Sequence, residues 1–190
     1  QHLKPIMEEY IDRMVEFKPD VVGFTLYYCN EEPTKWLASE LKKRLPDVKI
    51  VAGGPATHAS YYKGEEVYDY IINGEGEQPL LVMLANIEKQ KNIEITEQAV
   101  SKIIRQPENQ RYNLSTLPLP DYSGFDFKKY TFPNGALCEI SRGCIAKCTF
   151  CEETHFWKYR QRTAASTLDE IEHMYYEHGT NVFWFIDSLV

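Results

Sequence analysis

No run of apolar residues in this sequence approaches the roughly 18 needed to span a bilayer. Its polar start, Gln1-His2-Leu3-Lys4, has none of the character of a secretory signal. Positive charge is not in excess either: 21 basic side chains stand against 28 acidic ones in 190 residues, a net charge of -7. Phosphate binding needs clustered cations, so this balance argues against a nucleic-acid partner and favours solubility. Internal repeats and low-complexity tracts are absent, and Gly and Pro number only ten each, so the composition is that of an ordinary globular chain. Length alone allows one or two domains at about 150 residues each. The expectation is a cytoplasmic protein with no membrane span. Cysteine is scarce but unevenly spread: Cys29 and Cys138 stand apart, whereas Cys144, Cys148 and Cys151 fall within eight residues. An odd total and such crowding, with no secretion signal, point to metal or redox chemistry rather than disulfides.

The apolar positions Ile6, Tyr10, Ile11, Met14 and Val15 recur at helical spacing between Pro5 and Lys18, and Pro19 closes that segment. The continuous run Val21 to Tyr27 reads as a strand buried on both faces. A helix over Pro33 to Leu45 follows, with Leu37, Leu41 and Leu45 on one face and Pro46 as its stop. Lys49 to Ala52 is a second short strand running into Gly53-Gly54-Pro55. Asp69 to Ile72 is a third, running into Gly74-Glu75-Gly76-Glu77 and then an amphipathic helix marked by Leu80, Leu81, Leu84 and Ile87. Helices alternating with buried strands that end in glycine predict a parallel, doubly wound α/β sheet whose ligands bind at the carboxyl ends of the strands.

Between 92 and 133 the texture changes. Ile93 to Thr96 and Lys102 to Arg105 suggest a small hairpin, and three prolines follow from Leu117 to Pro133, as in an ordered linker. A second α/β unit is expected from 134 to 190. It comprises a strand at Ala136 to Ser141, the cysteine loop, a helix at Leu168 to Glu177 with a Thr167/Glu170 capping box and a Gly179 stop, and a strand at Val182 to Ile186.

The three thiols are spaced C-x3-C-x2-C directly after a strand. That spacing would fit one face of a helix, so a buried stripe is one reading. Structural zinc is another, since zinc takes four ligands and His155 and Cys138 lie nearby, but the second C-x2-C pair of most closed zinc sites is missing. Three close thiolates with no clear fourth suit a [4Fe-4S] cluster that keeps one iron open. The segment Arg142 to Arg162 holds five basic residues (Arg142, Lys147, Lys158, Arg160, Arg162) against Glu152 and Glu153, which would favour a reduced cluster and an incoming carboxylate. His155, Phe156 and Trp157 either face a substrate or pack the loop. Asp187, just after a strand, is a candidate catalytic residue or a turn or cap residue.

The cysteine loop, with Phe150 before its last cysteine, resembles the signature of the radical S-adenosylmethionine (SAM) superfamily. The resemblance implies that Cys144, Cys148 and Cys151 hold a [4Fe-4S] cluster and that SAM chelates the open iron. It places the backbone of Phe150 near the adenine. It also implies reductive cleavage of SAM to a 5′-deoxyadenosyl radical, with an electron donor such as flavodoxin or ferredoxin. The stretch from Pro19-Asp20-Val21-Val22-Gly23 through Gly53-Gly54-Pro55 to Gly74-Glu75-Gly76-Glu77, with the linker Leu117 to Tyr122, is similar to the cobalamin-binding domain of one radical SAM class. There Thr25, Gly53, Gly54, Pro55, Gly74, Glu75, Gly76 and Glu77 would line the pocket for the corrin and its nucleotide tail.

Together these resemblances imply a cobalamin-binding Rossmann-like domain over 1–91, a linker over 92–133 and the first βα units of a TIM-like radical SAM barrel over 134–190. The expected protein is an enzyme that methylates, cyclises or otherwise modifies a small-molecule or peptide substrate. The chain is expected to be part of a longer polypeptide. The opening strand of the cobalamin domain and the rest of the barrel would lie outside it, and so would the Asp-x-His-x-x-Gly motif of methionine-synthase-like domains. The competing expectation is a non-enzymatic Rossmann-like ligand-binding module with a structural zinc or iron-sulfur site.

Overall fold

Residues 4–58, 67–92, 103–105, 112–151 and 158–189 are described by the computed structural model. The chain divides into two compact units, Gln1–Arg111 and Tyr112–Val190.

In the first unit, helix α1 (Lys4–Phe17) turns Ile11, Met14 and Val15 inward, as their spacing requires, with Ile11 buried. Strand β1 (Val21–Thr25) follows, then α2 (Glu31–Arg44), whose first turn carries Glu31 and Glu32 and whose last turn carries Lys42, Lys43 and Arg44. Those charges oppose the helix dipole at both ends. Strands β2 (Lys49–Gly53) and β3 (Tyr70–Asn73), helix α3 (Glu77–Asn92) and strand β4 (Ile103–Arg105) complete the unit. The sheet is parallel throughout, in the order β1-β2-β3-β4, with Val22 opposite Ile50, Ala52 opposite Ile71 and Ile72 opposite Ile104.

Alternation along the strands splits the core in two. Ile50, Ala52 and Ile71 face Ala38 and Leu41 of α2 together with Met14 and Val15 of α1. Val51 and Ile72 face Met83 and Ile87 of α3, with Val21, Tyr70 and Ile104 beside them. A parallel sheet covered on both faces is the Rossmann-like arrangement expected. Two details differ from the sequence reading. β1 ends at Thr25 rather than Tyr27, because Asn30 takes up the Tyr27 N–H (2.8 Å) and donates to the Thr25 carbonyl (3.0 Å), folding the chain into a turn. Ile103–Arg105 pairs in parallel with β3 instead of forming one arm of a hairpin, and the other proposed arm, Ile93 to Thr96, lies outside the described residues.

In the second unit, β5 (Gly135–Cys138) pairs in parallel with β8 (Val182–Phe185), and β6 (Ser141–Arg142) pairs antiparallel with β7 (Arg160–Gln161). Gly135 is needed here because a Cβ would come within 2.0 Å of the Trp184 ring. Helix α4 (Ala164–His178) starts one turn earlier than its periodicity suggests. Its N-cap is Thr163, whose hydroxyl accepts from Ser166 N, and Glu170, expected in a capping box with Thr167, is buried instead. Gly179, at φ 66°, closes the helix as anticipated.

The guanidinium of Arg162 explains the position of Glu170. It pairs with the Glu170 carboxylate, donates to Ser166 Oγ and O (both 2.9 Å) and reaches the Glu139 carbonyl (3.2 Å). Both side chains are more than nine-tenths buried. Cys138 lies against the same carboxylate, its Sγ donating to Glu170 Oε1 at 3.5 Å. Burial first, and then the Glu170 charge, push this thiol up to about 12.

Three outcomes follow. Gly54 sits at φ 97°, and a Cβ there would approach the Leu26 carbonyl to 2.8 Å and Thr25 Cγ2 to 2.9 Å. Gly54→Ala is therefore expected to lower stability by more than about 1 kcal/mol, read as a shift in the urea midpoint. Alkylation at pH 8 with peptide mapping should modify Cys29, Cys144, Cys148 and Cys151 in the metal-free native protein and Cys138 only after unfolding, because native Cys138 is almost wholly protonated there. As its folded value lies above the unfolded one, Cys138 lowers stability as pH rises from about 9 to about 12, and Cys138→Ala should flatten that part of the profile.

Candidate functional site

Parallel pairing gathers the carboxyl ends of β1, β2 and β3 on one edge of the first sheet. Thr25 lies opposite Gly53 in the register, and Leu26 N donates to the Gly53 carbonyl at 2.7 Å. The chain then turns through Gly54 and Pro55 into a short 3-10 helix (Pro55–His58), where Ala56 N returns to the Leu26 carbonyl at 3.1 Å. Buried Thr57 ties this turn to β3: its hydroxyl donates to the Gly54 carbonyl (2.8 Å) and reaches the Ile72 carbonyl (3.2 Å). Asn73 Nδ2 closes the connection by donating to the Thr57 carbonyl at 2.6 Å. Gly74, at φ 113°, redirects the chain into Glu75, Gly76 and α3.

The structure thus brings Thr25, Gly53, Gly54, Pro55, Gly74, Glu75, Gly76 and Glu77 to one sheet edge. Thr25 is exposed there and Glu75 is buried at 3% exposure. The two flanking glycines differ in their reason for being glycine. Gly54 is fixed by its own backbone and neighbours, whereas a Cβ on Gly76 would meet nothing within 4 Å. The protein's own packing leaves that space open at the sheet edge. Open space beside the backbone leaves room there for a ligand at the carboxyl ends of the strands.

Three polar residues, Asn30, Thr57 and Asn73, knit these loops together and were not anticipated. Each is a single residue with no spacing pattern to betray it. The available signal was adjacency: Asn73 immediately precedes Gly74, and Thr57 lies two residues past Pro55. Tyr27 and Tyr28, on the loop beside Thr25, are both substantially exposed aromatic side chains at this edge.

The second site is the cysteine loop. The expected strand from Ala136 to Ser141 is interrupted at Glu139 and Ile140 and resumes as β6. β6 and β7 clamp the base of the loop, with Ser141 opposite Gln161 and Arg142 opposite Arg160, and Arg162 N donates to the Ile140 carbonyl at 2.8 Å. Gly143, at φ 79°, sends the chain out of β6. From Cys144 to Cys151 the backbone forms bends and turns and no helix, so the buried helical stripe is excluded. Cys144 and Cys151 are half-buried and Cys148 is exposed, all with free thiols. Ala146 N donates to Cys144 Sγ at 3.4 Å, and Cys151 N to the Cys148 carbonyl at 3.1 Å. Phe150 is 88% exposed.

Among the described residues, no group of three or more His, Cys, Asp or Glu side chains is arranged to hold a metal ion. The donor set itself, three free and accessible thiols on one eight-residue loop, is the soft-ligand chemistry that suits an iron-sulfur cluster. Cys138 does not belong to it, because that thiol is 1% exposed and bonded to Glu170. His155, with Phe156 and Trp157, lies outside the described residues.

The local excess of positive charge is smaller than the sequence count implied. Arg142 Nε holds both Glu139 oxygens at 2.9 Å, and Arg162 is paired with Glu170. Arg160 Nη1 reaches the Tyr112 carbonyl at 3.1 Å, while Lys147 and Lys158 are exposed. Asp187, at the end of β8, points back to the foot of the loop. Its Oδ1 accepts from Ile140 N (3.0 Å), from Ser141 N and from Ser141 Oγ (2.7 Å).

Comparison with known proteins matches residues 2–84 to the family model of the B12 binding domain. The chain is 29% identical to an anaerobic magnesium-protoporphyrin IX monomethyl ester cyclase of Cereibacter sphaeroides, over 95% of this chain and 32% of that protein. It is 24% identical to cytidylyl-2-hydroxyethylphosphonate methyltransferase of Streptomyces wedmorensis, over 95% of this chain and 42% of that protein. With hopanoid C-3 methylase of Methylococcus capsulatus it shares 28% identity, over 86% of this chain and 34% of that protein. It spans about a third of the length of the first of these relatives. No described helix is long and apolar enough to cross a membrane. The parallel sheet, its glycine-lined carboxyl edge and the match over residues 2–84 agree: the first unit of this chain is similar to the B12 binding domain.

Proposed function

We propose that the polypeptide to which this chain belongs is a cobalamin-dependent radical SAM enzyme that methylates or cyclises a small organic substrate. The observation carrying this reading is the C-x3-C-x2-C loop placed after a B12-binding domain, in a chain whose similarity to enzymes extends over 95% of its length. In this reading residues 1–91 form the cobalamin domain, 92–133 the linker and 134–190 the start of the barrel.

Cys144, Cys148 and Cys151 would hold three irons of a [4Fe-4S] cluster, with the Phe150 backbone close to the adenine of SAM. Such a cluster, when bound, supplies the electron that cleaves SAM and so gives access to unactivated substrate positions. The thiols of this loop must lose their protons to bind metal, and the exposure of Cys148 leaves it open to an incoming cluster. On the first unit, the backbone at Gly53, Gly54, Gly74 and Gly76 would approach the corrin and its tail, with Thr25, Pro55, Glu75 and Glu77 around them. The printed names of the relatives, a cyclase and two methylating enzymes, suggest ring closure or methyl transfer as the reaction class. The substrate and a flavodoxin- or ferredoxin-type electron donor belong to the same proposal.

Anaerobic reconstitution of the full-length polypeptide should give about four irons and four sulfides per chain. Replacing Cys144, Cys148 and Cys151 by Ala should abolish that loading, and stoichiometric zinc without iron would refute the enzyme reading. Hydroxocobalamin should bind the same polypeptide. Gly76→Leu should weaken that binding at least about tenfold, or about 1.4 kcal/mol, while leaving the urea midpoint unchanged, since its side chain enters open space.

A further inference from the structure

We infer that Asp187 is a positioning residue for the cysteine loop, fixing the loop's root through a single carboxylate oxygen. Oδ1 gathers three donors from two consecutive residues: Ile140 N at 3.0 Å, Ser141 N, and Ser141 Oγ at 2.7 Å. Ser141 Oγ also lies 3.2 Å from the Leu189 carbonyl, so the hydroxyl stands between two acceptors that follow β8. Cys144 is only three residues beyond Ser141. The interruption between β5 and β6 has the same origin, because the N–H groups of Ile140 and Ser141 are directed at this carboxylate.

The other oxygen sharpens the inference. Oδ2 is buried and receives no hydrogen bond among the described residues. With no donor at Oδ2, the three hydrogen bonds at Oδ1 carry the interaction by their geometry and Oδ2 adds nothing to it. An amide that keeps its carbonyl oxygen at the Oδ1 position should therefore serve as well as the carboxylate. A residue that worked by accepting a proton or a ligand's hydrogen bond through Oδ2 would not tolerate that change.

The functional half of this inference rests on the reading of Cys144, Cys148 and Cys151 as cluster ligands; the structural half does not. Both halves are tested on the full-length polypeptide with Asp187→Ala, Asp187→Asn and Ser141→Ala. In metal-free protein, amide hydrogen exchange at Ile140 and Ser141 should accelerate about tenfold or more in Asp187→Ala and remain near wild type in Asp187→Asn. After anaerobic reconstitution, Asp187→Ala should hold less than half of the wild-type iron and give an altered electron paramagnetic resonance signal on reduction. Asp187→Asn should restore both.

Ser141→Ala keeps the two backbone donors and should show an intermediate exchange rate with wild-type far-ultraviolet circular dichroism, which preserves the test if Asp187→Ala fails to fold. Wild-type exchange, iron content and spectrum in Asp187→Ala would overturn the inference. So would a folded Asp187→Asn variant that loses iron as Asp187→Ala does, since that would make the charge or Oδ2 the working feature. If wild-type protein takes up no iron while the exchange pattern is as expected, the cluster reading fails and the clasp stands.

Discussion

Parallel pairing is the constraint on which both units depend. A strand that runs alongside its predecessor in the same direction must be reached by a crossover, so its loop returns to the same edge each time. In the first unit this puts the turns after Thr25, Gly53 and Asn73 side by side, although they are separated by up to 48 residues of sequence. In the second unit the parallel pair β5-β8 brings Asp187 to the place where the chain leaves β5. The chemistry assigned to each unit lies on loops, but the loops are held by a buried, two-faced sheet or by a strand pair that gives them little freedom.

The architecture was readable where the signal is local and repeats. Runs such as Val21 to Thr25 and Lys49 to Gly53 are short and apolar with glycine following, and the core positions of α1 and α2 follow helical spacing. The cysteine spacing was equally plain. Side-chain choices among competing partners were not legible. Glu170 stands three residues after Thr167, as in a capping box, yet a guanidinium eight positions upstream claims it because both groups are buried together. Tyr27 continues an apolar run, but one asparagine three residues later ends the strand. Ile103–Arg105 looked like a hairpin arm because adjacency in sequence suggests antiparallel pairing, whereas its partner β3 lies thirty residues earlier.

Charge shows the same limit. Counting residues between 142 and 162 gave an excess of three positive charges, but Glu139 and Glu170 fall just outside that window and pair with two of the arginines. Lys147 and Lys158, near the cysteines, are exposed. The Arg162–Glu170 pair does structural work instead, joining β7 to α4 next to the neutral thiol of Cys138. A buried pair of this kind tolerates loss of both partners better than loss of one, so these two positions can be exchanged only together.

The clasp between Asp187 and Ser141 spans 46 residues, and this has a consequence for the order of events during synthesis. The cysteines are synthesised, and emerge from the ribosome, before the aspartate that anchors their loop. At 5–20 residues per second the delay is roughly 2 to 9 seconds. During that interval the three thiols are attached to a strand whose partner has not yet emerged. Oxidation or metal capture at these thiols is then limited by the cell rather than by the fold until β8 has emerged.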